Sequence, residues 1–321
     1  MSRTTVWSLA LLALLAAFPL VAPMLGLDFY VSFVRRVLIY ALAATSLNLI
    51  LGYGGMVALG HAAFVGAGAY AVGILGTLGV DSALVSWPAA VALAALLAFV
   101  TGAVSLRTRG VYFIMITLAF AQMLFYIFIS LRQYGGEDGL NLPGYSTLPG
   151  LDLANDVSFY YLVLAIFALA MWAFGHVTAS RFGMALQGVR ENESRMESMG
   201  YPVYRIKLTA FTISGAAAGL AGALLANHNL FISPSIMHWT QSANLLIMVL
   251  VGGIGLRYGG VAGAVVMLVL EEALRLWTEY WHLPLGILLL CVLFGAPRGL
   301  AGLFGPLFAG RAAPRSGKAG P

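Results

Sequence analysis

Apolar residues fill this chain in long blocks, at about 6–25, 33–51, 60–79, 84–106, 111–131, 158–176, 207–227, 241–256, 259–278 and 283–297. Most show neither the alternation of a half-buried strand nor the single apolar stripe of a surface helix. About 20 apolar residues are what an α-helix needs to cross a hydrocarbon layer of about 30 Å, where lipid offers backbone NH and CO groups no partner. The pattern predicts an all-α fold, a polytopic transmembrane helical bundle of about 10 spans. The eighth and tenth blocks are short and several contain Gly or Pro, so a count of 8 to 10 fits, with one or two spans broken or re-entrant. A basic start followed by an apolar run also describes a cleaved leader. No small-x-small site precedes a soluble domain, and apolar character resumes after Asp28, so the first block is read as an uncleaved span.

The polar islands carry the organisation. Residues 180–206 form one, between apolar blocks, and within it Asn192 suits a helix N-cap, Gly200 the left-handed position past a helix end, and Pro202 a stop. A short helix over 193–199 follows. Phe182, Leu186 and Val189 lie three to four residues apart, which gives the preceding segment an apolar face beside its charged one. A second island, 132–157, holds Glu137, Asp138, Asp152 and Asp156 with several Gly and Pro, and has the length of a docking surface. Residues 1–308 make one transmembrane domain, and 309–321 a small, basic, disordered tail.

Composition agrees: 61% of the 321 residues are hydrophobic and 9% charged, too few for a water-soluble surface. The net charge of +5 is no nucleic-acid footprint, because the basic residues fall between apolar blocks and form no stripe. With a cytosolic N-terminus and ten crossings, both termini are cytosolic. Arg3, Arg107, Arg109, Arg181, Arg190, Arg195, Arg205, Lys207, Arg257, Arg298, Arg311, Arg315 and Lys318 then lie inside, 13 of the 17 basic residues. The positive-inside rule supports that orientation, with 180–206 cytosolic and 132–157 extracytoplasmic. Arg35 and Arg36 fit it poorly: either they snorkel to the outer headgroups or the second span starts later than residue 33.

Chemistry is sparse. Neither Lys207 nor Lys318 ends a GxxxxGK[ST] phosphate loop, so the chain has no ATPase site of its own and is expected to be no enzyme. Five scattered His and a single Cys291 give no metal or catalytic set, and no cofactor is expected. Glu271 and Glu272 come nearest to a charge within a span and have Arg275 a turn away, the spacing of an interfacial ion pair. Four uncharged polar residues within spans, Asn48, His61, Gln122 and Asn244, either line a pathway or bond between helices. The Gly66-Ala67-Gly68-Ala69 run either packs helices closely or marks a kinked, pathway-lining helix. Gly-rich breaks at 52–55 and 252–260 echo one another, hinting at a duplicated unit.

The segments LNLILGYGGMVALGHAAFVGAGAYAVGIL (47–75), RTRGVYFIMITLAFAQML (107–124), SRFGMALQGVRENESRMESMGYPVYRIKLTAFTISGAAAGLAGALLA (180–226), LLIMVLVGGIGLRYGGVAGAVVMLVLEE (245–272) and a Pro-Arg-Gly-Leu ending (297–300) together resemble the permease subunits of branched-chain amino-acid ABC transporters. The resemblance implies a bacterial inner-membrane importer of five parts: a second homologous permease, two cytosolic ATPases that use ATP, and an extracytoplasmic solute-binding protein. It also implies that Arg190, Glu191, Asn192, Glu193, Arg195, Glu197 and Gly200 belong to the segment that couples to an ATPase. Urea, short amides and other small carboxylates are alternative solutes of similar permeases. A stand-alone channel or carrier and a membrane scaffold are alternatives from other classes.

Overall fold

The computed structural model describes residues 12–20, 28–277 and 283–287. Cys291, the ending at 297–300, the tail at 309–321 and most of the first and last apolar blocks lie outside these residues. Helical residues 12–20 (α1) lean on α6 (Asp156–Ala179), whose Tyr160 and Tyr161 hydroxyls donate to the carbonyls of Leu15 and Ala16 at 2.8 and 2.9 Å. Then come α2 (Asp28–Asn48), α3 (His61–Thr77), α4 (Ala83–Ser105) and α5 (Val111–Ser130), and after α6 the short α7 (Arg181–Glu191) and α8 (Glu193–Ser198). Finally α9 (Val203–Asn229), α10 (Trp239–Gly252) and α11 (Gly259–Arg275) complete the order.

Among the described residues five helices are long and apolar enough to cross a membrane: Phe29–Tyr53, Ala83–Ser105, Val111–Ser130, Asp156–Ala179 and Val203–Asn229. The sequence expects more, and the difference has a physical cause. The block 60–79 becomes a 17-residue helix, buried at every residue from His61 to Gly73, so that protein rather than lipid surrounds it. The block 241–256 ends as a helix at Gly252, because Gly253 and Gly255 adopt φ of +113° and +73°. The second span begins at Asp28 and not later than residue 33, and Arg35 does not snorkel. Its side chain is 3% exposed, donates to Asp156 Oδ1 at 2.9 Å and to His228 Nδ1 at 3.0 Å, and lies 4.5 Å over the Phe159 ring. A charge partnered from α6 and α9 can stay inside a helix that it would otherwise interrupt.

The centre of the bundle is α3 held between α4 and α9, and its contacts are made by small residues. A Cβ on Gly68 would strike the backbone of Gly219, and one on Gly222 the carbonyl of Val65. Here the small-residue run serves close packing of α3 on α9. At the Arg35 end of the bundle the 132–157 island is ordered by partners. Leu140–Asn141 (β1) pairs antiparallel with Phe231–Ile232 (β2), and Asn227 Oδ1 accepts from Ser146 N at 2.9 Å.

Candidate functional site

The last turn of α2 is where the polar features converge. Beyond Asn48 the helix widens into a π-helical turn, Leu49–Tyr53, and then stops at Gly54 and Gly55, the latter with φ +68°. The chain re-enters the bundle, so that α3 starts with His61 beside Ser46. Ser46 lies seven residues before Tyr53, a depth of roughly 10 Å at 1.5 Å per residue. The second glycine break comes to the same place. Asn48 Nδ2 donates to Leu256 O at 2.8 Å while its Oδ1 accepts from Gly255 N at 3.0 Å. A Cβ on Gly52 would collide with the Gly255 backbone, and one on Gly260 with Ala44 and Thr45. The two Gly-rich segments that echo in sequence thus touch in space, with Asn48 as the clip between them.

Arg190, in the last turn of α7, closes this junction. It donates to the carbonyl of Gly52, and its side chain is the nearest neighbour of Gly55 and Gly255. Any larger residue at these glycines would displace it. The remaining residues of the segment divide into two sets. Asn192 caps α8 by accepting from Arg195 N at 2.9 Å, and Gly200 takes φ +82° just past the helix. Glu193 pairs with Lys207 at 2.7 Å and Arg109 at 3.4 Å, and Glu197 with Arg109 at 3.3 Å, which ties α8 to α9 and to the α4–α5 turn. Glu191 and Arg195 are exposed and make no ion pair among the described residues. Nearby Met184, Met199, Tyr201 and Tyr204 are exposed as well.

The four polar residues proposed for a pathway do not form one constellation. Asn48 holds the junction. His61 is fully buried, with its Nε2 2.7 Å from Ser46 Oγ, a hydroxyl that also donates to Ala43 O at 2.7 Å. Gln122 is half-buried on α5. Asn244 alone lines a roomy cavity, with Arg36, Glu271 and Arg275. Arg275 does pair with Glu271, at 2.8 Å, as the spacing suggests. The part played by Gly52 and Gly255 has only the glycine echo as a sequence signal, and Gln241, which lines the same cavity as Asn244, has none.

Asn48→Ala would leave the half-buried Gly255 NH and Leu256 CO without their side-chain partner. A loss of about 2 kcal/mol or more is expected, each orphaned group costing about 1–3 kcal/mol. It should appear as a lower thermal unfolding midpoint of the purified protein in detergent, and a midpoint equal to wild type would refute the clip.

Span-length apolar helices, two glycine breaks meeting inside the bundle and a polar handle at one end define a polytopic helical membrane protein. Sequence relationships then give its kind. The family model described as "Branched-chain amino acid transport system / permease component" matches residues 29–293, and the chain belongs to that family of transporter subunits. It is 32% identical to the high-affinity branched-chain amino acid transport system permease protein LivM of Escherichia coli (strain K12), over 82% of this chain and 68% of that protein. It is 30% identical to the corresponding LivM of Salmonella typhimurium, over 91% of this chain and 73% of that protein. A probable branched-chain amino acid transport permease protein LivM of Methanocaldococcus jannaschii is 26% identical, over 82% of this chain and 90% of that protein. No solved structure gives a significant match.

Proposed function

We propose that this chain is one of two nonidentical permeases of an ABC importer in the cell membrane, moving branched-chain amino acids inward by alternating access. Two cytosolic ATPases supply the energy and an extracytoplasmic binding protein delivers the solute. The observation that carries the reading is how the α7–α8 unit is built. Glu193 and Glu197 fix it to α9 and the α4–α5 turn, Arg190 inserts into the glycine junction, and Glu191 and Arg195 face outward. A push on the exposed residues therefore has a short, bonded route to the break in α2. Converting a mostly outward-open population into a mostly inward-open one takes about 5 kcal/mol of differential binding. A contact that differs between the two states must supply it. ATP-driven closure of the ATPases on α8 supplies such a contact.

In a strain without endogenous uptake systems, the chain expressed with its cognate second permease, ATPases and binding protein should accumulate radiolabelled leucine and not urea. The chain alone in liposomes should give background flux. Urea uptake without leucine uptake would overturn the substrate, and leucine flux through the chain alone would overturn the importer reading.

A further inference from the structure

Between α2, α10 and α11, with Leu285 at its edge, lies a cavity of about 470 Å³. That volume falls within the range of about 300–1,000 Å³ typical of small-molecule sites. Among the described residues, further cavities at Tyr40 and Gln241, at Asn48 and Thr45 and at Gly60 and Thr117 measure about 20, 10 and 10 Å³. These hold little more than a water, which needs about 10–15 Å³.

The large cavity is amphoteric on one side and apolar on the other. Arg36 and Tyr40 face it from α2, Gln241 and Asn244 from α10, and Glu271 and Arg275 from α11, each pair three or four residues apart and so on one helix face. Met248, Met267 and Leu268 supply an apolar wall. The charges are held unequally. Arg275 grips Glu271 at 2.8 Å, whereas Arg36 stands 3.6 Å from the same carboxylate, with its guanidinium 5.7 Å over the Tyr40 ring. The Arg36–Glu271 contact is thus the loose one.

We propose that this cavity is a transit site for a zwitterionic α-amino acid with an apolar side chain, entered by opening the Arg36–Glu271 pair. The solute carboxylate takes the Arg36 guanidinium, and its ammonium takes Glu271 with the amide oxygens of Gln241 and Asn244. Its side chain lies on Met248, Met267 and Leu268. Inserting a zwitterion between an anion and a cation leaves every charge paired, so the solute gives up water without stranding a charge in the bundle. A monoamine of the same shape leaves Arg36 unpaired, and a monocarboxylate forgoes the bonds of the ammonium to Glu271 and the two amides while Glu271 keeps Arg275, so both bind more weakly than the zwitterion. The proposal rests on the amino-acid importer reading above, and adds where in this chain the solute is read.

The test uses the complete transporter in proteoliposomes, with leucine-loaded binding protein outside and ATP inside, and the permease–ATPase complex in nanodiscs for direct leucine binding. Arg36→Gln and Asn244→Val should each lower leucine uptake roughly tenfold, the loss expected for one charge-assisted hydrogen bond. The swap Arg36→Glu with Glu271→Arg keeps a pair between α2 and α11 but inverts its polarity, and should stay as impaired as Arg36→Gln while the complex assembles normally. Radiolabelled leucine bound to wild type should resist displacement by 4-methylpentanoate and by 3-methylbutylamine. Wild-type uptake in the swap would mean that the pair only holds two helices together, and would overturn the site. So would unaltered uptake in both single variants, displacement by either half-molecule, or no leucine binding by the wild-type complex. If the wild-type transporter imports no amino acid, the importer reading fails first. Leucine import that the variants leave untouched defeats the transit site alone.

Discussion

Arg190→Glu in the assembled transporter is expected to abolish solute uptake, by about 100-fold or more, while the ATPases continue to turn over. The guanidinium donates to the Gly52 carbonyl and fills the space that the missing side chains of Gly55 and Gly255 leave open. A carboxylate there cannot donate and is repelled by that carbonyl. One charge-assisted hydrogen bond contributes about 1.5–3 kcal/mol, so its loss with added repulsion removes a large part of the about 5 kcal/mol that switching requires. Glu191→Lys and Arg195→Glu act differently, since both side chains are exposed and make no ion pair among the described residues. They should weaken the proposed ATPase contact in a salt-sensitive way and leave the junction intact. Uptake per ATP hydrolysed, measured in proteoliposomes, separates the two effects. Coupled uptake at the wild-type ratio by Arg190→Glu would remove α7 from the transmission route.

The second large effect is structural. Gly222→Val is expected to prevent the bundle from assembling, with folded protein in detergent extracts reduced to traces. A Cβ at 222 would meet the Val65 carbonyl and the Ala69 NH, both part of the α3 backbone, which cannot rotate away as a side chain can. Overpacking in a tight core costs about 1–3 kcal/mol and more where backbones must separate, against total stabilities of about 5–15 kcal/mol. Gly68→Val should behave likewise, because its neighbour is the Gly219 backbone. Gly144→Ala is the control: nothing lies within 4 Å of the added Cβ, and its yield should match wild type. Normal yield of Gly222→Val would mean that α3 and α9 do not pack as closely as described.

Much of the local structure was legible beforehand. The capping role of Asn192, the left-handed Gly200 and the short helix between them, expected over 193–199 and observed over Glu193–Ser198, follow from local backbone chemistry that needs no distant partner. The Glu271–Arg275 pair is legible for the same reason, being a contact across one helical turn. Arg35 was misread because its partners, Asp156 and His228, are 121 and 193 residues away, and a charge looks out of place until they are known. The pathway candidates were chosen by polarity alone, which cannot distinguish Asn48, spent on the backbone of 255–256, from Asn244, which opens onto a cavity.

By itself the sequence determined that this is a helical membrane protein, because long apolar blocks have one stable solution in lipid and that solution is local. It also located the helices of the polar handle along the chain, since capping is read from neighbouring residues. What only the tertiary structure decided is how the glycines are used. A glycine removes a side chain, and nothing in its neighbours in sequence tells which distant backbone will occupy the space. Only in the folded bundle do Gly52 and Gly255 meet, Asn48 clip them together and Arg190 reach them from the handle.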